Sequence, residues 1–171
     1  MNDIANLYRS PDLGDDYLPG GSIQVIYGTQ TGNSEELARE TAKRITEIGL
    51  PVQVSDMEEF NTDDLKKIKI LLVIVSTDGD GELPLMAEDL FEFLQHEVPP
   101  LNHLIFSVLG LGDTTYTEFC RAGKEFDVLL SKLGACRMFD RVDCDVDFEV
   151  DYDEWTSRLL PIIELNSQLV P

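Results

Sequence analysis

Gly28-Thr-Gln-Thr-Gly-Asn-Ser34 stands between a β-branched apolar run, Ser22-Ile-Gln-Val-Ile-Tyr27, and a segment in which Leu37, Ala38, Thr41, Ile45 and Ile48 recur at helical spacing. The run reads as a strand, and the periodic segment as a helix with one apolar face that can lie on a sheet. Small residues in the turn let the backbone approach a ligand, and the helix N-terminus behind it offers unpaired N–H groups and the positive end of a dipole. Hydroxyls at Thr29, Thr31 and Ser34 and the Asn33 amide add neutral donors, and the stretch holds no Lys or Arg. A nucleoside-triphosphate loop needs G-x-x-x-x-G-K-[ST], which is absent, so hydroxyls and backbone alone suit a monophosphate. The competing reading is an ordinary helix start, with Asn33 as cap and Glu36 three residues on in a broad capping box.

Outward from this turn, Gly49-Leu-Pro51 stops the first helix and Val52-Gln-Val-Ser55 alternates as a short second strand. Residues 56–67 form a polar connection with room for one helical turn. Ile68 to Ser76 is apolar on both faces, the mark of a central strand in a parallel sheet covered on each side. The turn cluster Thr77-Asp-Gly-Asp-Gly81 leads to a helix over 84–96 with Leu90, Phe91 and Leu94 inward, ended by Pro99-Pro100. Leu104 to Leu109 repeats the central-strand signature, and Gly110-Leu-Gly-Asp-Thr-Thr-Tyr116 is a further loop. A helix over 119–133, closed by Gly134, a fifth strand over 137–142 and a last helix over 153–165 carrying Trp155, Leu159, Ile162 and Ile163 inward complete the chain. Strands alternating with helices predict an α/β doubly wound sheet, whose ligands sit outside the carboxyl ends of the strands. Loops 28–34, 76–81 and 109–120 follow strands one, three and four, so they converge on one crevice. That convergence favours a ligand cradle over a plain helix cap.

The 171 residues suit one domain, expected over 22–166, with 1–21 a tail or linker of mixed Asp, Pro and Gly and 167–171 a C-terminal tail. Thirty-three acidic residues against thirteen basic ones give a formal charge of -20, which makes nucleic acid and anionic membrane poor partners and a basic protein surface a better one. A solvated acidic coat is the alternative. Cys120, Cys136 and Cys144 are odd in number and lack C-x-x-C spacing, which argues against a disulfide framework or zinc site and fits a reducing cytoplasm. The first residues carry acids and no apolar core segment, unlike a signal peptide, and the longest apolar run, Ile70 to Val75, is too short to span a bilayer.

Other chemistries fit poorly. Gly110-Leu-Gly112 begins a dinucleotide fingerprint, but Thr115 holds the third glycine's place and Leu130 that of the acid. There is no G-x-S-x-G, and His96 and His103 flank a helix end, so hydrolysis has no visible nucleophile. Asp143, Asp145, Asp147 and Glu154 match positions one, three, five and twelve of a calcium loop, yet Phe148 stands where the turn requires glycine. The acids from Asp143 to Asp153 instead line a rim where a basic partner could dock.

With its three loops assembled, the chain resembles the flavodoxin-like FMN domain of the diflavin reductases, in the sulfite reductase flavoprotein branch. The likeness rests on Thr29-Gln-Thr-Gly-Asn-Ser34, Ser76-Thr-Asp-Gly-Asp-Gly-Glu-Leu-Pro84 and Leu109-Gly-Leu-Gly-Asp-Thr-Thr-Tyr-Thr-Glu-Phe-Cys120, and continues through Gly123-Lys-Glu-Phe-Asp127, Leu133-Gly134 and Asp140-Arg-Val-Asp143 to Trp155. It implies a five-stranded flavodoxin-like sheet of order 2-1-3-4-5 with helices on both faces, and FMN at the strand ends. Its phosphate would rest on Thr29, Gln30, Thr31, Gly32, Asn33 and Ser34. The ring would lie between Ser76, Thr77, Asp78 and Gly79 on one side and Leu111, Gly112, Asp113, Tyr116, Phe119 and Cys120 on the other, with Tyr116 stacked flat on it.

Asp78 replaces the second aromatic of the cytochrome-reductase branch and matches the polar residue of the sulfite reductase branch. An aspartate at the ring edge would repel an anionic reduced flavin by about 1 kcal/mol at 4 Å in water and more when buried. By resemblance, the Gly79 carbonyl could turn to accept a hydrogen bond from the reduced ring, a turn that glycine makes cheaply. The resemblance thus implies a cytoplasmic electron carrier, monomeric in isolation. It would pass single electrons from an NADPH/FAD reductase unit to a basic-surfaced acceptor such as a sulfite reductase hemoprotein, with no catalytic acid or base. The alternatives are an FMN-dependent quinone or nitro reductase on the same fold and a flavin-free interaction module. The length leaves no room for FAD and NADPH domains, which fits a free-standing flavodoxin or a piece of a longer diflavin chain.

Overall fold

The computed structural model describes residues 22–168, so the expected tail over 1–21 and residues 169–171 lie outside the described residues. In chain order the elements are β1 (Ser22–Gly28), α1 (Asn33–Glu47), β2 (Val52–Asp56), a 3-10 turn (Thr62–Lys66), β3 (Ile68–Ser76), α2 (Leu85–Glu97), β4 (Ile105–Leu111), α3 (Arg121–Lys132), β5 (Cys136–Arg137), β6 (Val142–Cys144) and α4 (Glu149–Gln168). Every strand pair is parallel, in the order β2-β1-β3-β4-β5, with β6 also on β4. This is the flavodoxin-like doubly wound sheet that the sequence implied.

The unbroken apolar run of β3 has a direct cause. Leu71, Val73 and Val75 face one core, with Leu90, Phe91 and Leu94 of α2 and Ala122, Phe126 and Leu130 of α3. Ile70, Leu72 and Ile74 face the other, with Leu37, Ala38 and Ile45 of α1 and Tyr152, Trp155, Leu159 and Ile163 of α4. Each such side chain stabilises by about 1.5–3 kcal/mol, so both faces must stay apolar. Ser107 on β4 is a polar residue admitted with a partner: it accepts the Trp155 indole N–H at 2.8 Å, and both are fully buried.

The far edge departs from expectation. The fifth strand, read as one piece over 137–142, is two short strands with Met138 to Arg141 between them. The ladder holds through Met138 N–H to the Phe106 carbonyl at 2.8 Å, resumes with Val142 beside Leu109, and ends where Gly112 N–H reaches the Cys144 carbonyl at 3.0 Å. The Asp127 carboxylate on α3, largely buried, receives Arg137 through two bonds of 2.7 and 2.9 Å and Arg141 at 3.2 Å, while Arg141 also grips Asp143. One carboxylate thus holds an arginine from each side of the break between the two strands. The last helix begins at Glu149 rather than 153, its first turn closed by Tyr152 N–H to the Phe148 carbonyl at 2.8 Å. Its opening acids alternate and conceal the helical period that Tyr152, Trp155 and Leu159 keep.

α3 crosses β4 where two glycines face each other. A Cβ on Gly123 would stand 2.9 Å from the Gly110 Cα, a backbone atom that cannot swing aside. Alanine would gain about 1 kcal/mol in helix propensity and lose about 1–3 kcal/mol to overpacking. Gly123→Ala therefore should lower the urea midpoint of unfolding; a raised midpoint would show that α3 is free to shift.

Candidate functional site

Because the strands are parallel, the segments after β1, β3 and β4 leave from one edge and enclose a cleft of about 240 Å³. Thr31 and Asn33 line it from the first loop, Ser76, Thr77, Asp78 and Gly79 from the second, and Leu111, Gly112, Asp113, Tyr116, Phe119 and Cys120 from the third. Glu118 also lines it, a residue that sequence reasoning missed. Thr29, Gln30, Gly32 and Ser34 do not line the cleft; they make the turn that holds Thr31 and Asn33 at its mouth.

The first loop is a cradle rather than a self-satisfied cap. Gly32 occupies the cap position in the left-handed region, φ 95°, with no side-chain cap bond, and Asn33 is already helical, so the expected Asn33–Glu36 capping box does not form. Gly32 N–H donates to the Thr29 hydroxyl at 2.9 Å, which draws the turn tight. Among the described residues, the amides of Gln30, Thr31, Asn33 and Ser34 have no backbone acceptor. The Ser34 hydroxyl is fully buried and is the one buried side-chain polar atom there without a partner. A buried hydroxyl left unpaired costs about 1–3 kcal/mol. Four uncommitted amides at a helix N-terminus beside it fit a phosphate group, which would satisfy them together.

The second loop folds on itself. Asp78 and Glu82 form a bridge: Asp78 N–H donates to the Glu82 carbonyl at 2.9 Å, and Gly81 and Glu82 N–H donate to the Asp78 carbonyl at 3.0 and 2.9 Å. Gly79 has φ 45°, and a Cβ there would meet the Glu82 carboxylate at 2.5 Å. Thr77 is tied into the fold at both ends, its N–H donating to the Leu111 carbonyl at 2.9 Å and its hydroxyl accepting from Ala122 N–H at 3.1 Å. That second bond supplies α3 with the cap that Cys120, in the left-handed region at φ 53°, does not give. Thr77 also lines the cleft.

The third loop is braced by carboxylates. Asp113 Oδ1 accepts from the Thr115 amide and hydroxyl at 2.8 and 2.6 Å, and Tyr116 N–H donates to the Asp113 carbonyl at 3.1 Å. Asp145, from the segment after β6, accepts from the Thr114 amide at 3.0 Å and the Thr114 hydroxyl at 2.5 Å. These bonds, with one from Val146 N–H, hold the Asp145 carboxyl below its usual range. A lowered folded pKa means that the clamp is complete above the ordinary carboxylate range and fails as pH falls through the lowered value. Sequence reasoning placed Asp145 on a docking rim; in the structure this half-exposed carboxylate is tied to Thr114 of the third loop. Tyr116, 48% exposed, stands at the cleft with its ring unburied. Cys120 lies under the loop, fully buried, its thiol pushed up to about 12 chiefly by burial, so it stays neutral and packs as an apolar group. A Cβ on Gly112 would stand 2.8 Å from the Cys120 nitrogen, which explains the glycine.

The flavodoxin family model matches residues 25–155, a span that contains all three loops. The chain belongs to the flavodoxin family. This flavodoxin domain is 45% identical over 139 residues to the sulfite reductase [NADPH] flavoprotein alpha-component of Bacillus subtilis, covering 81% of the chain and 23% of that relative. It is 40% identical over 154 residues to the protein of the same description from Shewanella oneidensis, covering 87% of the chain and 25% of the relative. A solved Streptococcus pneumoniae flavodoxin superposes with a TM-score of 0.73 at 32% identity, over 87% of this chain and 100% of that one. The chain thus spans about a quarter of the length of the curated relatives it matches and the whole of a single flavodoxin. The flavodoxin domain binds FMN, and its function is electron transfer through that flavin.

Proposed function

We propose that the sixteen residues of the three loops hold FMN with the phosphate on the first and the ring between the second and third. The Ser34 hydroxyl carries the reading, because a buried, partnerless donor at a helix N-terminus is what a phosphate oxygen satisfies. Thr31, Asn33 and the amides from Gln30 to Ser34 complete the cradle, with Thr29 and Gly32 shaping the turn. Ser76, Thr77, Asp78 and Gly79 bound one side of the ring, and Leu111, Gly112, Asp113, Phe119 and Cys120 the other. Tyr116 stacks on the ring, a contact worth about 0.5–1.5 kcal/mol beyond burial. Bound there, FMN supplies the one- and two-electron redox chemistry. The chain's own residues bind, orient and set the electrostatics, and Asp78 at the cleft opposes negative charge gathering beside it.

As to partners, NADPH and the word alpha-component in the relatives' description support a chain that takes electrons from an NADPH/FAD-dependent reductase unit and delivers them to another component, a sulfite reductase hemoprotein. Residues 22–166 form the working unit, monomeric by itself. Among the described residues no helix is long and apolar enough to cross a membrane, and Cys120, Cys136 and Cys144 are free thiols. A reducing cytoplasm is the compartment in which we place it. Exposed Asp80, Glu82, Glu118 and Asp147 surround the loops and complement a basic acceptor surface.

Two experiments test this reading. Ser34→Ala removes an orphaned hydroxyl, so the apoprotein should unfold at an equal or higher urea concentration while FMN affinity falls about three- to tenfold; unchanged FMN affinity would refute the cradle. Asp147→Lys should slow reduction of a basic heme protein at low salt, with the deficit shrinking as salt rises and FMN affinity unaltered. A rate indifferent to both the substitution and salt would remove this corner from the docking surface.

A further inference from the structure

We infer that Met86 is a positioning residue for the phosphate loop and so helps select a phosphorylated flavin. The inference rests on the phosphate assignment above. Thr29 N–H, the first amide of the loop, points at the Met86 sulfur at 3.3 Å. Thr29 in turn receives Gly32 N–H on its hydroxyl at 2.9 Å. The chain of contacts runs from sulfur to Thr29 to Gly32, and Gly32 is the residue whose left-handed backbone aims the amides of Asn33 and Ser34. The sulfur lies at the root of a two-bond brace and outside the cleft lining.

The surroundings leave little room for another arrangement. Gly28, directly before Thr29, is packed so that a Cβ would meet the Met57 sulfur at 2.9 Å, the Ala87 Cβ at 3.2 Å and a Val75 methyl at 3.3 Å. Strand β1 and helix α2 therefore close together at this point. Met86 sits in the first turn of α2, directly after the second loop, so one side chain joins the seat of the phosphate loop to the loop that carries Asp78 and Gly79. A thioether is a weak acceptor on an adaptable stem. It can hold the Thr29 amide without a rigid geometry, and no other side-chain acceptor for that amide occurs among the described residues.

Leucine matches methionine in volume and lacks the acceptor; glutamine matches its reach and has a stronger one. FMN and riboflavin, which differ by the phosphate, separate a loop effect from a ring effect. In the intact protein stripped of flavin, Met86→Leu should loosen the loop and weaken FMN about three- to tenfold while leaving riboflavin affinity as in the parent; because the bond is also present without flavin, its loss lowers the urea midpoint slightly. Met86→Gln should keep FMN affinity near that of the parent. Equal loss of FMN and riboflavin, no loss of FMN with leucine, or glutamine as poor as leucine would each overturn the assignment. The parent protein provides the separate control: if it binds FMN no more tightly than riboflavin, the phosphate-loop reading itself fails, whatever Met86 does.

Discussion

Burial of β3 on both faces is the constraint from which the rest follows. A strand covered by helices on each side has only its carboxyl end left for chemistry, and parallel neighbours end at the same edge. Leu71, Val73 and Val75 commit one face to α2 and α3, and Ile70, Leu72 and Ile74 commit the other to α1 and α4. The three loops then meet because the core leaves them no other exit.

A protein with a formal charge of -20 faces a particular difficulty in holding a phosphate. In the proposed site the first loop would meet it without a cation, through a helix N-terminus, uncommitted amides and the Ser34 hydroxyl. Neutral donors can favour an anion locally and leave the acidic exterior unchanged. Two carboxylates near the cleft are taken up in bracing: Asp113 holds Thr115, and Asp145 holds Thr114. Asp78, which also lines the cleft, closes the second loop through its backbone.

Legibility in the sequence followed contact range. The β3 run and the helical period of α1 are local patterns, and both elements stand where the pattern put them. The three loops and their convergence were readable because a turn after a parallel strand has one place to go. What stayed hidden depends on partners distant along the chain. Thr77 caps α3 from 45 residues away, Asp145 braces Thr114 from 31, and Met86 holds Thr29 from 57. The break between β5 and β6 is spanned by the hold of Asp127 on Arg137 and Arg141, which no periodicity announces. In the last helix, alternating acids masked a turn that Tyr152 and Trp155 secure from the core.

The central claim is that this domain carries electrons and does not draw hydride from a nicotinamide itself. The most direct measurement is an anaerobic titration of the FMN-loaded protein with NADPH, followed by flavin absorbance, first alone and then with a separate FAD-containing reductase. The account predicts no bleaching by NADPH alone and reduction once the reductase is present. Rapid bleaching by NADPH alone would contradict it and make the protein a reductase in its own right.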